Sequence, residues 1–99
     1  MYFITTIERL PDVVGSYGNT RCVGYYESFK DAEDSVINND FDIFEYLYDY
    51  CVIEKIEQGL YKYASQNNRW FYKYNLDTKY YEYIKEPEEF KHMCGFSIG

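Results

Sequence analysis

His92, Met93 and Cys94 form the one stretch of this chain where an imidazole and a thiol stand close together. A cysteine nucleophile needs a histidine to take its proton and an Asn or Asp to orient that histidine. His92 is the only histidine, and no such orienter is recognisable around it. As metal ligands, His92 and Cys94 offer two donors, and nothing nearby completes a site. Cys22, Cys51 and Cys94 are far apart and lack CxxC spacing, so they fit neither a zinc cage nor a disulfide framework. They read as small hydrophobes of a reduced, cytoplasmic chain. No glycine-rich phosphate loop, HExxH pair or nucleophile elbow is present. Asn38-Asn39-Asp40-Phe41-Asp42 is rich in oxygen ligands but lacks the central glycine and terminal glutamate of a calcium loop. Carboxylate pairs are too abundant to mark a general acid and base. The expectation is a protein without catalytic residues, metal or cofactor.

The remaining chemistry is charge. Seventeen acidic residues face ten basic ones, for a net charge of −7. The excess is segregated: residues 51–99 hold seven of each sign, whereas 27–49 hold eight acids and only Lys30. One reading is a solvated helix face with acids at the favourable end of the helix dipole. The sharper reading joins Glu27, Asp31, Asp34, Asp40, Asp42, Glu45 and Asp49 into one negative surface that steers a basic protein partner. Duplex nucleic acid and anionic membranes are disfavoured as partners, since both are held mainly by Lys and Arg. No apolar run approaches the ~20 residues of a membrane span, and Met1 to Glu8 carry no signal-peptide pattern.

Aromatic residues are the second excess, with fourteen tyrosines, seven phenylalanines and one tryptophan in 99 residues. Most should be cross-strand partners and core. The hairpin over 69–85 nevertheless carries rings on both faces: Trp70, Tyr72 and Tyr74 with Tyr81 and Tyr83 on one, Phe71 and Tyr80 on the other. If a helix covers one face, the other is expected to be an exposed aromatic surface. Such a surface suits a partner protein, a second copy in a homodimer, or a small ligand such as a nucleotide held by Trp70, Tyr72, Tyr81 and Tyr83.

The elements that position these groups follow from periodicity. Tyr2 to Glu8 alternate as a strand, and Arg21 to Tyr26 read as a second, with Gly24 marking a bulge or a close approach. Ser28 is an N-cap for a helix over 29–38 whose Phe29, Ala32, Val36 and Ile37 face a sheet, with Asn38-Asn39 as a left-handed stop. Asp42 and Glu45 suggest a further one- or two-turn helix over 43–48, pairing Ile43 with Leu47. A central strand spans 49–57 and a short one 60–63, with a loop at 65–68. The hairpin joins Arg69–Asn75 to Lys79–Lys85, Pro87 opens a short helix over 88–91, and Gly95 to Ile98 close as a strand. The order predicts a single α+β domain over 1–99: a mainly antiparallel sheet with one principal helix, about 29–38, on a face, plus short helical turns.

Several of these segments together resemble a group of small acidic proteins of Firmicutes and their phages or mobile elements. The residues concerned are Tyr2 to Glu8, Cys22-Val23-Gly24-Tyr25-Tyr26, Ser28-Phe29 with Ala32-Glu33, and Asn38-Asn39 with Asp42-Ile43 and Glu45. They continue with Tyr50, Val52-Ile53-Glu54, Gly59-Leu60-Tyr61, Trp70-Phe71 and Gly95 to Gly99. The resemblance implies a mobile-element setting and carries over no catalytic residue. Together with the charge it leads to the expectation of a non-enzymatic binding protein that engages or inhibits a basic partner, such as a nucleic-acid-handling or defence enzyme. Asp31, Asp34, Asp40, Asp42 and Glu45 would steer; Tyr46, Tyr48 and Trp70 would anchor.

Overall fold

A computed structural model describes residues 1–9, 17–59, 68–91, 93 and 95–97. The first alternating stretch is strand β1, Tyr2–Arg9, and the central one is β3, Tyr50–Lys55. They pair antiparallel, with Ile4 opposite Ile53 and Thr6 opposite Cys51. On the other side of β1 lies β2, Tyr17–Tyr26. Beyond β3 lies the hairpin, β4 at Arg69–Asn75 and β5 at Tyr80–Ile84. The result is one five-stranded antiparallel sheet in the order β2-β1-β3-β4-β5. With the one α-helix among the described residues packed on one face, the fold is α+β. β2 is an edge. Its register slips between Ile4–Gly24 and Thr5–Cys22, so Val23 is an extra residue beside Gly24, a bulge as its glycine suggested.

Helix α1, Phe29–Ile37, begins where Ser28 Oγ accepts the Asp31 N–H at 3.4 Å and ends at Asn39, whose φ of 51° is left-handed. Ala32 and Val36 are fully buried and pack with Ile4, Cys51, Ile53, Tyr72 and Tyr81. Burying one large aliphatic or aromatic side chain stabilises by about 1.5–3 kcal/mol, so this layer is the main source of cohesion on its side. Two phenols carry hydroxyls into it with partners: Tyr72 donates to Glu33 at 2.6 Å and Tyr81 to the Tyr48 carbonyl at 2.7 Å.

The opposite face is covered over Phe71, which corrects the expectation of an exposed aromatic surface there, while Tyr80 at the far end of the hairpin stays 51% exposed. Ile7, Tyr50, Val52 and Phe71 are buried beneath Phe90, from the 3-10 turn Glu88–Phe90, with Phe96 and Ile84 beside them. Phe71 lies 5.7 Å from Phe90 and 5.8 Å from Phe96, ring centre to ring centre. Residues 95–97 are not the closing strand expected at 95–98. Their backbone N–H groups go to a side chain instead: the buried Glu54 carboxylate accepts from Phe96 N at 3.1 Å and Ser97 N at 2.8 Å. Ser97 Oγ adds a third donor at 2.7 Å. Opposite Glu54 in the β3–β4 register stands Arg69, also buried. Its guanidinium bonds Glu86 at 2.7 Å and the carbonyls of Met93 at 2.6 Å and Phe90 at 3.1 Å.

Residues 43–48 do not form the expected helix. Asp40–Asp42 is a single 3-10 turn, and Phe41, Asp42, Glu45 and Tyr46 all have positive φ. The inward i, i+4 pair is Phe44 and Tyr48, both buried, rather than Ile43 and Leu47. The strand expected at 60–63, residues 65–67 of the expected loop, His92, Cys94 and Ile98 lie outside the described residues. Among the described residues, no helix is long and apolar enough to cross a membrane.

Candidate functional site

The segment joining α1 to β3 concentrates what the fold leaves to solvent. It is pinned at both ends and in the middle. Asn39 Oδ1 accepts the Phe44 N–H at 3.0 Å, Asp42 Oδ1 accepts Glu45 N–H at 3.3 Å, and the Phe44 carbonyl accepts Tyr48 N–H at 2.9 Å. Phe44 stacks on Tyr74 at 3.7 Å with the rings 7° from parallel, which nails the loop to the sheet. At its far end Arg21 of β2 reaches Glu45 at 3.0 Å and lies over the Tyr48 ring. The Glu45 hydrogen bond raises the Arg21 pKa further above its usual value.

On this frame two rings are held outward. Phe41 is 101% exposed and Tyr46 is 90% exposed, at φ of 57° and 58°. Left-handed φ costs an L-residue about 1–2 kcal/mol outside Gly, Asn and Asp. Asn39 and Asp42 are residues that tolerate it; Phe41 and Tyr46 are not. Strain of this kind persists where surrounding contacts over-determine the backbone, and it clusters at sites of function.

The acidic residues of this region are in unequal condition. Asp34 is paired with Lys30 at 3.0 Å and Glu45 with Arg21, so both are partly neutralised. Asp31, Asp40 and Asp42 are exposed and have no cationic partner among the described residues. Glu33, half-buried, is taken up by the Tyr72 hydroxyl.

Two of the three expected anchors are not available to a partner. Tyr48 is 7% exposed, its ring buried under Arg21. Trp70 is half-buried, 4.6 Å from Phe29 and 6.2 Å from Tyr2 between ring centres, and so belongs to the layer under α1. Tyr46 alone stands out as expected. The aromatic ligand site of Trp70, Tyr72, Tyr81 and Tyr83 also fails on geometry. Tyr72 and Tyr81 are buried beneath α1, and of the four only Tyr83 is exposed. Burial pushes the Tyr72 and Tyr81 phenols and the Cys51 thiol well above their usual pKa values. Cys51 is therefore a packed thiol at neutral pH, while Cys22 is exposed.

Sequence reasoning missed Phe41, although Asn39-Asp40-Phe41-Asp42 sets an aromatic among turn formers. It also missed a half-open cleft of about 170 Å³ beside that residue. Ile4, Val23 and Gly24 lie on its sheet side, with Tyr26, Ser35, Asp40 and Ile43 among its other walls. Among the described residues, no three His, Cys, Asp or Glu side chains come together in a way that could hold a metal ion.

Comparison with protein-family models, with curated proteins and with solved structures finds no match. The functional reading therefore rests on the acidic segment and on the two rings it holds in water.

Proposed function

We propose that this chain is a non-enzymatic binding protein that uses the 27–49 segment to engage a basic surface on another protein. Its setting in this reading is a small accessory protein of a phage or mobile element, acting in the cytoplasm by occupying a partner. The observation that carries it is Phe41 and Tyr46, projecting from a loop pinned by Phe44 and Tyr48, with Phe41 between Asp40 and Asp42, which have no ion pair among the described residues. Charge then raises the encounter rate and sets orientation, while rigid rings supply contact area at little entropic cost. A partner that normally grips nucleic-acid phosphates offers the matching basic groove, and covering that groove inhibits it.

The test is affinity capture from a host lysate at low salt, comparing the natural chain with D31K/D34K/D40K/D42K. All four carboxylates are exposed; because Asp42 Oδ1 also holds the Glu45 N–H at a left-handed φ, D31K/D34K/D40K is run beside it so that loss of charge is separated from loss of the loop. Loss of the captured partner is expected, with a steep salt dependence in the natural chain. Equal recovery by all three proteins overturns the steering role.

A further inference from the structure

The cleft between β2 and the Asp40–Ile43 loop has the chemistry of a socket for one long cationic side chain. Its floor is apolar: Ile4 is buried and Val23 and Ile43 are half-buried. One wall is the hydroxyl pair Tyr26 and Ser35, 2.7 Å apart. Asp40 stands on the loop side with no hydrogen bond or ion pair to its carboxylate among the described residues, and the exposed Phe41 adjoins it. Gly24 leaves the sheet side open. A Cβ built there meets nothing within 4 Å, although Gly24 faces Ile4 in the β1–β2 pairing.

We propose that this cleft receives a lysine or arginine side chain of the basic partner. The inference rests on the reading given above and names the contact within it. The methylene stem of such a residue lies along Ile4, Val23 and Ile43 while its charged head remains near the surface, as these side chains do wherever apolar and polar zones meet. Asp40 supplies the opposite charge, and the Tyr26 and Phe41 rings supply faces on which a guanidinium stacks. Among the described residues no Lys or Arg lines the cleft, so an anion finds no counter-charge from them. A single carboxylate is too few for a metal ion. The cleft opens beside β2, an edge of the sheet, so the incoming residue arrives on extended backbone without displacing a strand.

Titration of the isotopically labelled protein with Ac-Thr-Arg-Thr-NH2 and Ac-Thr-Lys-Thr-NH2 at low salt, followed by amide NMR, tests this, with Ac-Thr-Gln-Thr-NH2 as the neutral control. The expected result is saturable shifts at Val23, Gly24, Tyr26, Ser35, Phe41 and Ile43 with the cationic peptides and none with the neutral one. G24V adds bulk on the open side, where a Cβ meets nothing within 4 Å, and D40N removes the charge from an exposed position. Each should weaken binding at least tenfold while the rest of the spectrum stays unchanged. Shifts from the neutral peptide at the same residues, or no shift at the cleft with any peptide, overturn the socket. Shifts confined to Asp31, Asp34 and Asp49 also overturn it, and they leave the acidic-surface reading standing. That broader reading falls only if the fourfold charge reversal leaves partner capture unchanged.

Discussion

The two faces of this sheet are both closed by apolar layers, but only one adds a buried charged clamp. Under α1 the contact is a layer of Ala32, Val36, Ile4, Ile53 and tyrosine rings, with phenol hydroxyls at its margin. On the other face the rings of Phe90 and Phe96 pack on Ile7, Tyr50, Val52 and Phe71. The segment that carries them is also held by charge: Glu54 accepts from two backbone N–H groups and a hydroxyl, and Arg69 donates to two carbonyls and a carboxylate. The difference teaches where cooperativity resides. An apolar layer degrades in proportion to the atoms removed, because each buried group contributes separately. A buried polar clamp fails abruptly, because removing one member strips partners that cannot recover water.

Mutations can break that contrast or sharpen it. The largest effect should come from R69M, which removes the charged donor to the Phe90 and Met93 carbonyls and the cation beside Glu86. A loss of about 1.5–3 kcal/mol is expected in urea unfolding, together with hydrogen exchange that rises first at Phe90, Lys91, Phe96 and Ser97. If exchange rises equally along α1, the two faces are one cooperative unit and the contrast is wrong. E54Q should come next, at about 1–3 kcal/mol. The amide retains one acceptor oxygen but turns an NH2 toward groups that also donate.

Y72F removes one hydroxyl partner of Glu33 and should cost about 1 kcal/mol at neutral pH. The same phenol has a distinct signature in base. Below pH about 10 it is protonated folded and unfolded alike. As the pH rises further, the unfolded chain releases the proton while the buried group holds it, so stability falls with pH. Denaturation midpoints of Y72F/Y81F should therefore decline less steeply above pH about 10 than those of the natural chain. A parallel decline in both would rule out these rings as the cause. The smallest change should have the opposite sign: F41G relieves a left-handed φ and raises stability by roughly 0.5 kcal/mol after glycine's own entropy cost. The same variant should weaken partner capture if the exposed ring is an anchor.

How legible these features are in the sequence follows the same division. Ser28, Ala32 and Val36 announce α1, because a cap and a 3.6-residue period are local signals. In β3 both alternating sets, Tyr50 with Val52 and Cys51 with Ile53, are apolar, and both faces of that strand are indeed covered. The clamp is invisible for the opposite reason. Glu54 is 42 residues from Phe96 and Arg69 is 24 from Met93, distances at which no periodicity operates. Gly95-Phe96-Ser97 has strand character, yet a carboxylate took the N–H groups a ladder would have used. The loop after α1 was misread because Ile43 and Leu47 share helical spacing with Phe44 and Tyr48. The larger rings took the interior, and the backbone turned left-handed to allow it. The cleft was hidden because its defining feature is a missing side chain at Gly24 and a loop whose course depends on that substitution of one apolar pair for the other.

The guanidinium of Arg69 grips carbonyl oxygens, which every amino acid carries, and it ignores what hangs from the α-carbons of residues 90 and 93. The grip on this segment consequently depends on its backbone oxygens more than on the exposed Lys91–Glu88 pair at its surface. Relatives of this protein should be recognisable by a retained acid and base facing each other across two neighbouring strands, even where the residues they hold have changed beyond alignment.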